Sequence, residues 1–271
     1  MIEVLISTMH QKDTQLVEKM HLQSDAIIIN QTDSHGFQEF ISNGHKVRFY
    51  SFAERGVGLS RNSALMRATG DICVLADDDM VFMDNYCATV QRVFDQNPSA
   101  DVIIFNIIEN GPTRRRTNTK IKKIHKLNYM NYGAARIAFR RSAVSYWGIS
   151  FNQNFGGGTQ HQSGEDTLFL RDCLATGLKI IAVPEAIAVL EDNRPSTWFH
   201  GYNRKYFFDK GVLLAIGHPV LAPLFCLYLA LRHKNFADEH MTQWGAYLEM
   251  CRGIRFVKQR GYCKPEVKVH M

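Results

Sequence analysis

The chain has 271 residues, 45% of them hydrophobic, which makes it globular, with enough apolar material for one large α/β domain or two small ones. Its 32 basic residues outnumber its 26 acidic ones, for a formal net charge of +6. The excess gathers between Arg114 and Lys126 and between Arg252 and Lys268, blocks that read as solvated loops or as contacts for nucleic acid, anionic lipid or a phosphate-bearing substrate. Six cysteines (73, 87, 173, 226, 251, 263) include no Cys-x-x-Cys pair, which argues against a zinc site or disulfide framework and suits a reducing compartment.

In chain order, residues 2–7 predict a first strand. Its apolar run turns polar at Ser7, too early for a secretory signal, so the chain is expected to begin inside that strand. Gln15–Gln23 predicts a helix with Asp13 as its N-cap and Leu16 and Met20 four apart on the buried face. Ala26–Ile29 is a buried strand that stops at the polar run 30–34, and Lys46–Ser51 a short one. A Gly-rich turn over 56–60 leads into a helix over Arg61–Thr69, with Ser60 as N-cap and Gly70 just past its end. Gly70-Asp71 then opens the apolar run of Ile72, Val74 and Leu75, which ends abruptly in Asp77, Asp78 and Asp79. The order β-α-β-β-α-β predicts a mostly parallel sheet with helices on its faces.

Three adjacent carboxylates at a strand's carboxyl end stand where open α/β sheets bind ligands. They raise one another's pKa unless a cation or several amides neutralise them, and their hard oxygens suit Mg²⁺ or Mn²⁺. Alone, Asp-Asp-Asp reads as a solvated turn; the residues that follow argue for more. Tyr86, Val90, Val93 and Phe94 form an amphipathic helical stripe stopped by Pro98, and 101–108 is another apolar strand. Residues 109–127 read as a mobile basic loop, Gly133–Arg140 as a strand and Ser142–Trp147 as a short capped helix. A flexible Gly-rich stretch, 155–164, leads to Glu165 and Asp166, which open a helix closed by Gly177. Carboxylates in a first turn gain from the helix dipole. That is ordinary helix-start chemistry or, at a pocket rim, a general base kept ionised.

Ser7-Thr8 after the first strand, Gly58-Leu59-Ser60-Arg61-Asn62-Ser63-Ala64 before Ala68-Thr69-Gly70-Asp71, Asp77-Asp78-Asp79, and Gly164-Glu165-Asp166 occur in one order. Together they resemble family 2 glycosyltransferases of the GT-A fold, the nucleotide-sugar-dependent inverting enzymes of bacterial polysaccharide assembly. The resemblance covers about residues 2–210. It implies an α/β GT-A domain over 1–210, with a nucleotide-binding part over 1–108 and an acceptor-binding part over 109–210, followed by a helical extension over 211–271.

The same resemblance places Ser7, Thr8, Gln31, Arg61, Asp77 and Asp78 at the nucleotide sugar. It gives Asp77, Asp78 and Asp79 the ribose and, through Mn²⁺ or Mg²⁺, the diphosphate, with Asp77 and Asp79 as the motif pair and the ion as Lewis acid. Asp166 matches the family's catalytic base, and Glu165 beside it holds acceptor hydroxyls. His200 stands where some GT-A enzymes place a third metal ligand; a lone His beside aromatics also reads as structural. Many members carry acidic residues at the end of the second strand to read the base. Here Asn30 and Gln31 stand there, and their amides can donate and accept toward a uracil edge. The implied partners are a UDP-sugar donor and a hydroxyl on a glycan or lipid-linked acceptor, without nucleic acid.

Residues 211–231 are mostly apolar, yet His218-Pro219 and Pro223 interrupt the roughly 20 residues that a membrane span needs. A broken pair of short helices is expected. With Lys210 and Arg232-His233-Lys234 as flanks and a basic, aromatic helix over Met241–Lys258 behind, this segment is expected to lie on the cytoplasmic face of the membrane, held by apolar area and anionic lipid. A homodimer interface is the alternative. Two other functions use the same residue types. One is a metal-dependent nucleotidyltransferase or nuclease, which needs acidic ligands for two ions about 4 Å apart; the other is a non-catalytic protein whose basic loops hold nucleic acid or lipid.

Overall fold

The computed structural model describes residues 1–109, 117–191, 199, 201–237 and 241–260. The chain divides into two compact units, Met1–Asn154 with Glu165–Pro195, and Phe155–Gly164 with Ser196–Met271. The first unit runs β1 (Ile2–Met9), α1 (Leu16–Lys19), β2 (Asp25–Gln31), β3 (Gly36–Ser42), β4 (His45–Phe52), α2 (Val57–Arg67), β5 (Ile72–Asp77), β6 (Met80–Phe82), α3 (Tyr86–Gln96) and β7 (Val102–Glu109). After these come β8 (Lys122–Lys123), β9 (Ile137–Arg140), α4 (Arg141–Tyr146), α5 (Glu165–Ala175) and β10 (Ile180–Leu190).

Its strands make one sheet in the order β3-β4-β2-β1-β5-β9-β7-β10-β6, with β8 beside β10. The run β4-β2-β1-β5 is parallel, and β9 lies antiparallel between β5 and β7. Leu16 and Val17 of α1, Met20 just past its end, and Tyr86, Val90, Val93 and Phe94 of α3 share one core layer. Ala64 of α2, Val144 of α4 and Phe169, Leu170 and Cys173 of α5 belong to the other. Strands covered on both faces read as continuous apolar runs, and Ile72–Ala76 is buried throughout.

Several local expectations change. α1 is one turn long, because His21 takes a positive φ of 53° and ends it; the N-cap position is Gln15, without a side-chain cap, and Asp13, expected there, lies before the helix with its Oδ1 accepting from Gln15 N at 3.0 Å. α2 begins at Val57 after Gly56, whose φ is 126°, so Ser60 is a buried helical residue and not the cap. β3 was not expected. It pairs antiparallel with β4 across Asn43-Gly44, both at positive φ, the two-residue turn that Asn-Gly favours. Within the basic block, Lys122 and Lys123 form a strand against β10 and Ile124 is buried, whereas Arg114, Arg115 and Arg116 lie outside the described residues. The segment expected as a strand from Gly133 coils over Ala134–Arg136 before β9 begins. The five described cysteines are free.

The second unit holds α6 (Arg204–Gly217), α7 (Ala222–Arg232) and α8 (Gln243–Arg260). The expected helix break falls at His218-Pro219, and among the described residues no helix is long and apolar enough to cross a membrane. α6 and α8 cross in backbone contact: a Cβ on Gly211 would sit 2.0 Å from Met250 O, and one on Gly253 2.3 Å from Phe208 O. Glycines that would cost helix stability elsewhere are required by this approach. The Gly-rich stretch 155–164 is packed in place. Phe155 and His161 are fully buried with rings 4.7 Å apart, His161 Nδ1 lies 2.8 Å from Asp209 Oδ1, and Lys205 Nζ donates to Asp209 Oδ2 at 2.9 Å.

Candidate active site

Parallel pairing brings the sequence-predicted residues to one end of the sheet. Ser7 and Asp77 are register partners at the carboxyl ends of β1 and β5, and Thr8 faces Asn30 on β2. Past Asp77 the chain turns through Asp78 and Asp79 into β6. Glu191 N donates to Asp79 O at 2.9 Å, fastening the acidic turn to the end of β10. Thr8 Oγ1 donates to Asp78 Oδ2 at 2.6 Å and accepts from Gln11 Nε2 at 2.9 Å. All three aspartates are partly exposed.

The helix α2 explains its own sequence residue by residue. A Cβ on Gly58 would meet Asn152 O at 2.6 Å; Ser60 Oγ donates to Ser7 Oγ at 3.0 Å; Asn62 Nδ2 donates to Phe151 O at 2.8 Å and Oδ1 accepts from Phe151 N at 2.7 Å. Between them Arg61, 4% exposed, reaches two carboxylates. Its Nη2 donates to Asp77 Oδ1 at 2.8 Å and its Nη1 to Glu165 Oε1 at 2.5 Å. Burial alone would lower the Arg61 pKa, but the charges of Asp77, Glu165 and Asp166 outweigh it and raise it. Burial and then the neighbouring Asp166 push the Glu165 carboxyl above the usual range, against the pull of Arg61.

α5 presents Glu165 and Asp166 in its first turn. Phe169 anchors the helix, its ring stacked on Phe151 at 4.4 Å and 5.7 Å from that of Phe139. Asp166 is half-buried. Its Oδ1 accepts from Thr167 N at 2.6 Å, and its Oδ2 would lie 3.4 Å from a Cβ on Gly133. The missing side chain at 133 keeps room beside that oxygen.

Asn30 and Gln31, expected toward a nucleobase, both hold backbone. Asn30 accepts from Gln11 N and donates to Gln11 O, each at 3.0 Å, and Gln31 Oε1 accepts from Gly56 N at 2.7 Å. His200 lies outside the described residues. Among the described residues no three His, Cys, Asp or Glu side chains converge as a metal cage. A six-coordinate Mg²⁺ or Mn²⁺ shared with a diphosphate asks only one or two carboxylates of the protein, and Asp77–Asp79 supply hard, partly open oxygens, so their donor chemistry fits such an ion.

Sequence reading passed over Gln11, which braces Thr8, and Glu191, whose amide holds the acidic turn. Gln11 carries no signal of its own. Gly58 and Asn62 stood inside the recognised motif, and their roles become visible only when segment 149–154 is folded against α2.

The model of glycosyl transferase family 2 matches residues 14–163, more than half of the chain. The chain belongs to this family. No curated protein matches it. Among solved structures, TarS of S. aureus aligns at a TM-score of 0.62 and 13% identity over 93% of this chain and 49% of that one, so the chain spans about half the length of TarS. TarS 1-349 in complex with UDP-GlcNAc aligns at 0.59 and 14% identity, over 96% of this chain and 74% of that one. The same TarS segment in complex with UDP aligns at 0.56 and 14% identity, over 98% and 76%. Likeness at such identities concerns the fold, the GT-A arrangement of a central sheet flanked by helices. The family match contains Arg61 and Asp77–Asp79 and stops just before Glu165; in this family 2 chain the Arg61 guanidinium joins the two parts.

Proposed function

We propose that this glycosyltransferase moves a sugar from a nucleoside diphosphate, uridine diphosphate as the leading candidate, to a hydroxyl of a glycan or lipid-linked acceptor in polysaccharide assembly, with inversion at the anomeric carbon. The observation that carries the reading is the Arg61 bridge. One buried cation ties Asp77 at the end of β5 to Glu165 at the start of α5, which keeps Asp166 at the same end of the sheet as the Asp77–Asp79 turn.

In this reading Ser7, Thr8, Arg61 and Asp77–Asp79 form the donor side, and Asp77–Asp79 would hold Mn²⁺ or Mg²⁺. When bound, the ion neutralises charge on the leaving diphosphate. Asp166 Oδ2 takes the proton of the acceptor hydroxyl. That hydroxyl oxygen bonds to the anomeric carbon from the face opposite the diphosphate, while the bond from carbon to diphosphate oxygen breaks with its electron pair on oxygen. Asp166 stands in the first turn of α5, and a carboxylate within reach of the hydroxyl can serve as its general base. Glu165 acts through Arg61, holding the guanidinium that faces Asp77.

The test is a panel of nucleotide sugars incubated with the purified chain, with and without Mn²⁺ and a chelator, reading the nucleoside diphosphate released. Metal-dependent release from one sugar nucleotide supports the reading. Release unaffected by chelator removes the metal from it, and cleavage of polynucleotide with no release from any sugar nucleotide moves the chain to the nuclease class.

A further inference from the structure

The helix α7 is built inside out. Its inward residues are the small Ala222, Cys226 and Ala230, all fully buried, while Leu224 is 61% exposed, Tyr228 54% and Leu231 60%. Leaving large apolar side chains in water forfeits the hydrophobic stabilisation that an inward placement would give, and a contiguous patch of them marks a binding surface. The patch continues onto α8, where Gln243 Nε2 donates to Leu231 O and His233 O at 3.0 and 3.2 Å and brings Trp244, 63% exposed, and Leu248 to the same corner of the unit.

Charge selects the occupant. No acidic residue occurs between Asp209 and Asp238. Arg232 and Lys234 are exposed where α7 ends, and Arg252 and Arg255 continue the exposed stripe of Trp244 and Leu248 along α8. Leucines outward, Trp and Tyr among them, and a rim in which Arg232, Lys234 and Arg255 add to an Arg252 already paired with Glu249 at 2.7 Å are the make-up of a surface that sits in the headgroup layer of an anionic bilayer. A second copy of this chain would bring the same cations against themselves, because a two-fold interface pairs a patch with its own image.

We propose that the outward face of α7, extended by Trp244 and Leu248, docks this protein on anionic lipid membranes. The apolar part of α6 takes no part, since Val212, Leu213 and Leu214 are buried within the unit. The inference concerns where the chain sits and is independent of which sugar it transfers.

The test uses the full chain with vesicles of phosphatidylcholine alone or with phosphatidylglycerol. Co-sedimentation is expected with the anionic vesicles, weakened by high salt. Leu224→Glu with Leu231→Glu should lower vesicle affinity at least about tenfold, since each leucine leaving water is worth roughly that much. These exposed positions should leave the melting temperature unchanged. Arg232→Gln with Lys234→Gln should weaken binding and flatten its salt dependence, and brominated lipid should quench emission that Trp244→Phe removes. The proposal is overturned if the wild type ignores anionic vesicles, or if the double glutamate variant binds as well as wild type. It is equally overturned if that variant converts a stable dimer to a monomer, which assigns the face to a second copy. Vesicle binding that appears only after removal of residues 261–271 would assign the face to the chain's own end.

Discussion

Asn62 holds Phe151 by both of its backbone groups, donating to the carbonyl and accepting from the amide while buried at 8% exposure. The pair fixes α2 against segment 149–154, and with it the neighbouring Arg61. Asn62→Ala strands a buried N–H and C=O, at a cost of about 2–6 kcal/mol if each unmade bond costs roughly 1–3. Chemical denaturation should show that loss. An unchanged midpoint would mean that water replaces the amide without penalty.

Arg61 faces two carboxylates from a buried position, so removing it is more damaging than removing a surface charge. Arg61→Met should destabilise the fold by about 3–5 kcal/mol, the usual effect of leaving a buried ion without its partner. Arg61→Lys should restore little, because an ammonium cannot span Asp77 and Glu165 as a planar fork does. Arg61→Met with Glu165→Met should recover much of the stability, yet sugar transfer should stay lost in both. A double variant no more stable than Arg61→Met would contradict this account of the bridge.

Asp166 carries the proton in the proposed transfer. Asp166→Asn should keep nucleotide-sugar affinity while kcat falls by about 10²–10⁴, the range for a positioned general base. Product analysis by proton NMR should show the inverted anomer. Wild-type turnover in Asp166→Asn, or a retained anomer, would remove Asp166 from that role.

Asp209 predicts a pH effect in the second unit. Burial alone would raise its pKa, but hydrogen bonds from His161, Lys205 and the Gln162 amide outweigh burial and hold it below the usual carboxylate range. A depressed folded pKa gives stability that is fully present above the unfolded value, about pH 4, and is lost as pH falls through the lower folded value. Thermal melts between pH 6 and pH 2.5 should fall more steeply for wild type than for Asp209→Asn. Parallel curves would show that another group governs acid unfolding.

The sequence was most legible where one pattern had one physical outcome. An apolar run stopped by aspartates became β5, the Tyr86–Phe94 stripe became α3, and Gly177, with φ of 87°, closed α5. It was least legible where distant contacts decide. Phe37 and Ile41 on edge strand β3 are exposed, so their pattern gave no core-facing alternation. Ser60 has the chemistry of a cap, yet its hydroxyl serves Ser7, a partner 53 residues away. The bridge through Arg61 shows the same limit: its motif marked it for the donor, and only the folded chain brings Glu165 to its other side.

The chain passes between its two units three times, after Asn154, Gly164 and Pro195. Neither unit is therefore a continuous module. Shortening the chain to residue 195 would leave Phe155 and His161 behind while removing Asp209, Phe208 and Phe256, the groups packed on the His161 ring or bonded to it. Grafting the helical unit onto a relative, or exchanging it for another, has to carry the ten residues before Glu165 as well. Recombination at a single crossover point would separate helices from the short segment that completes them.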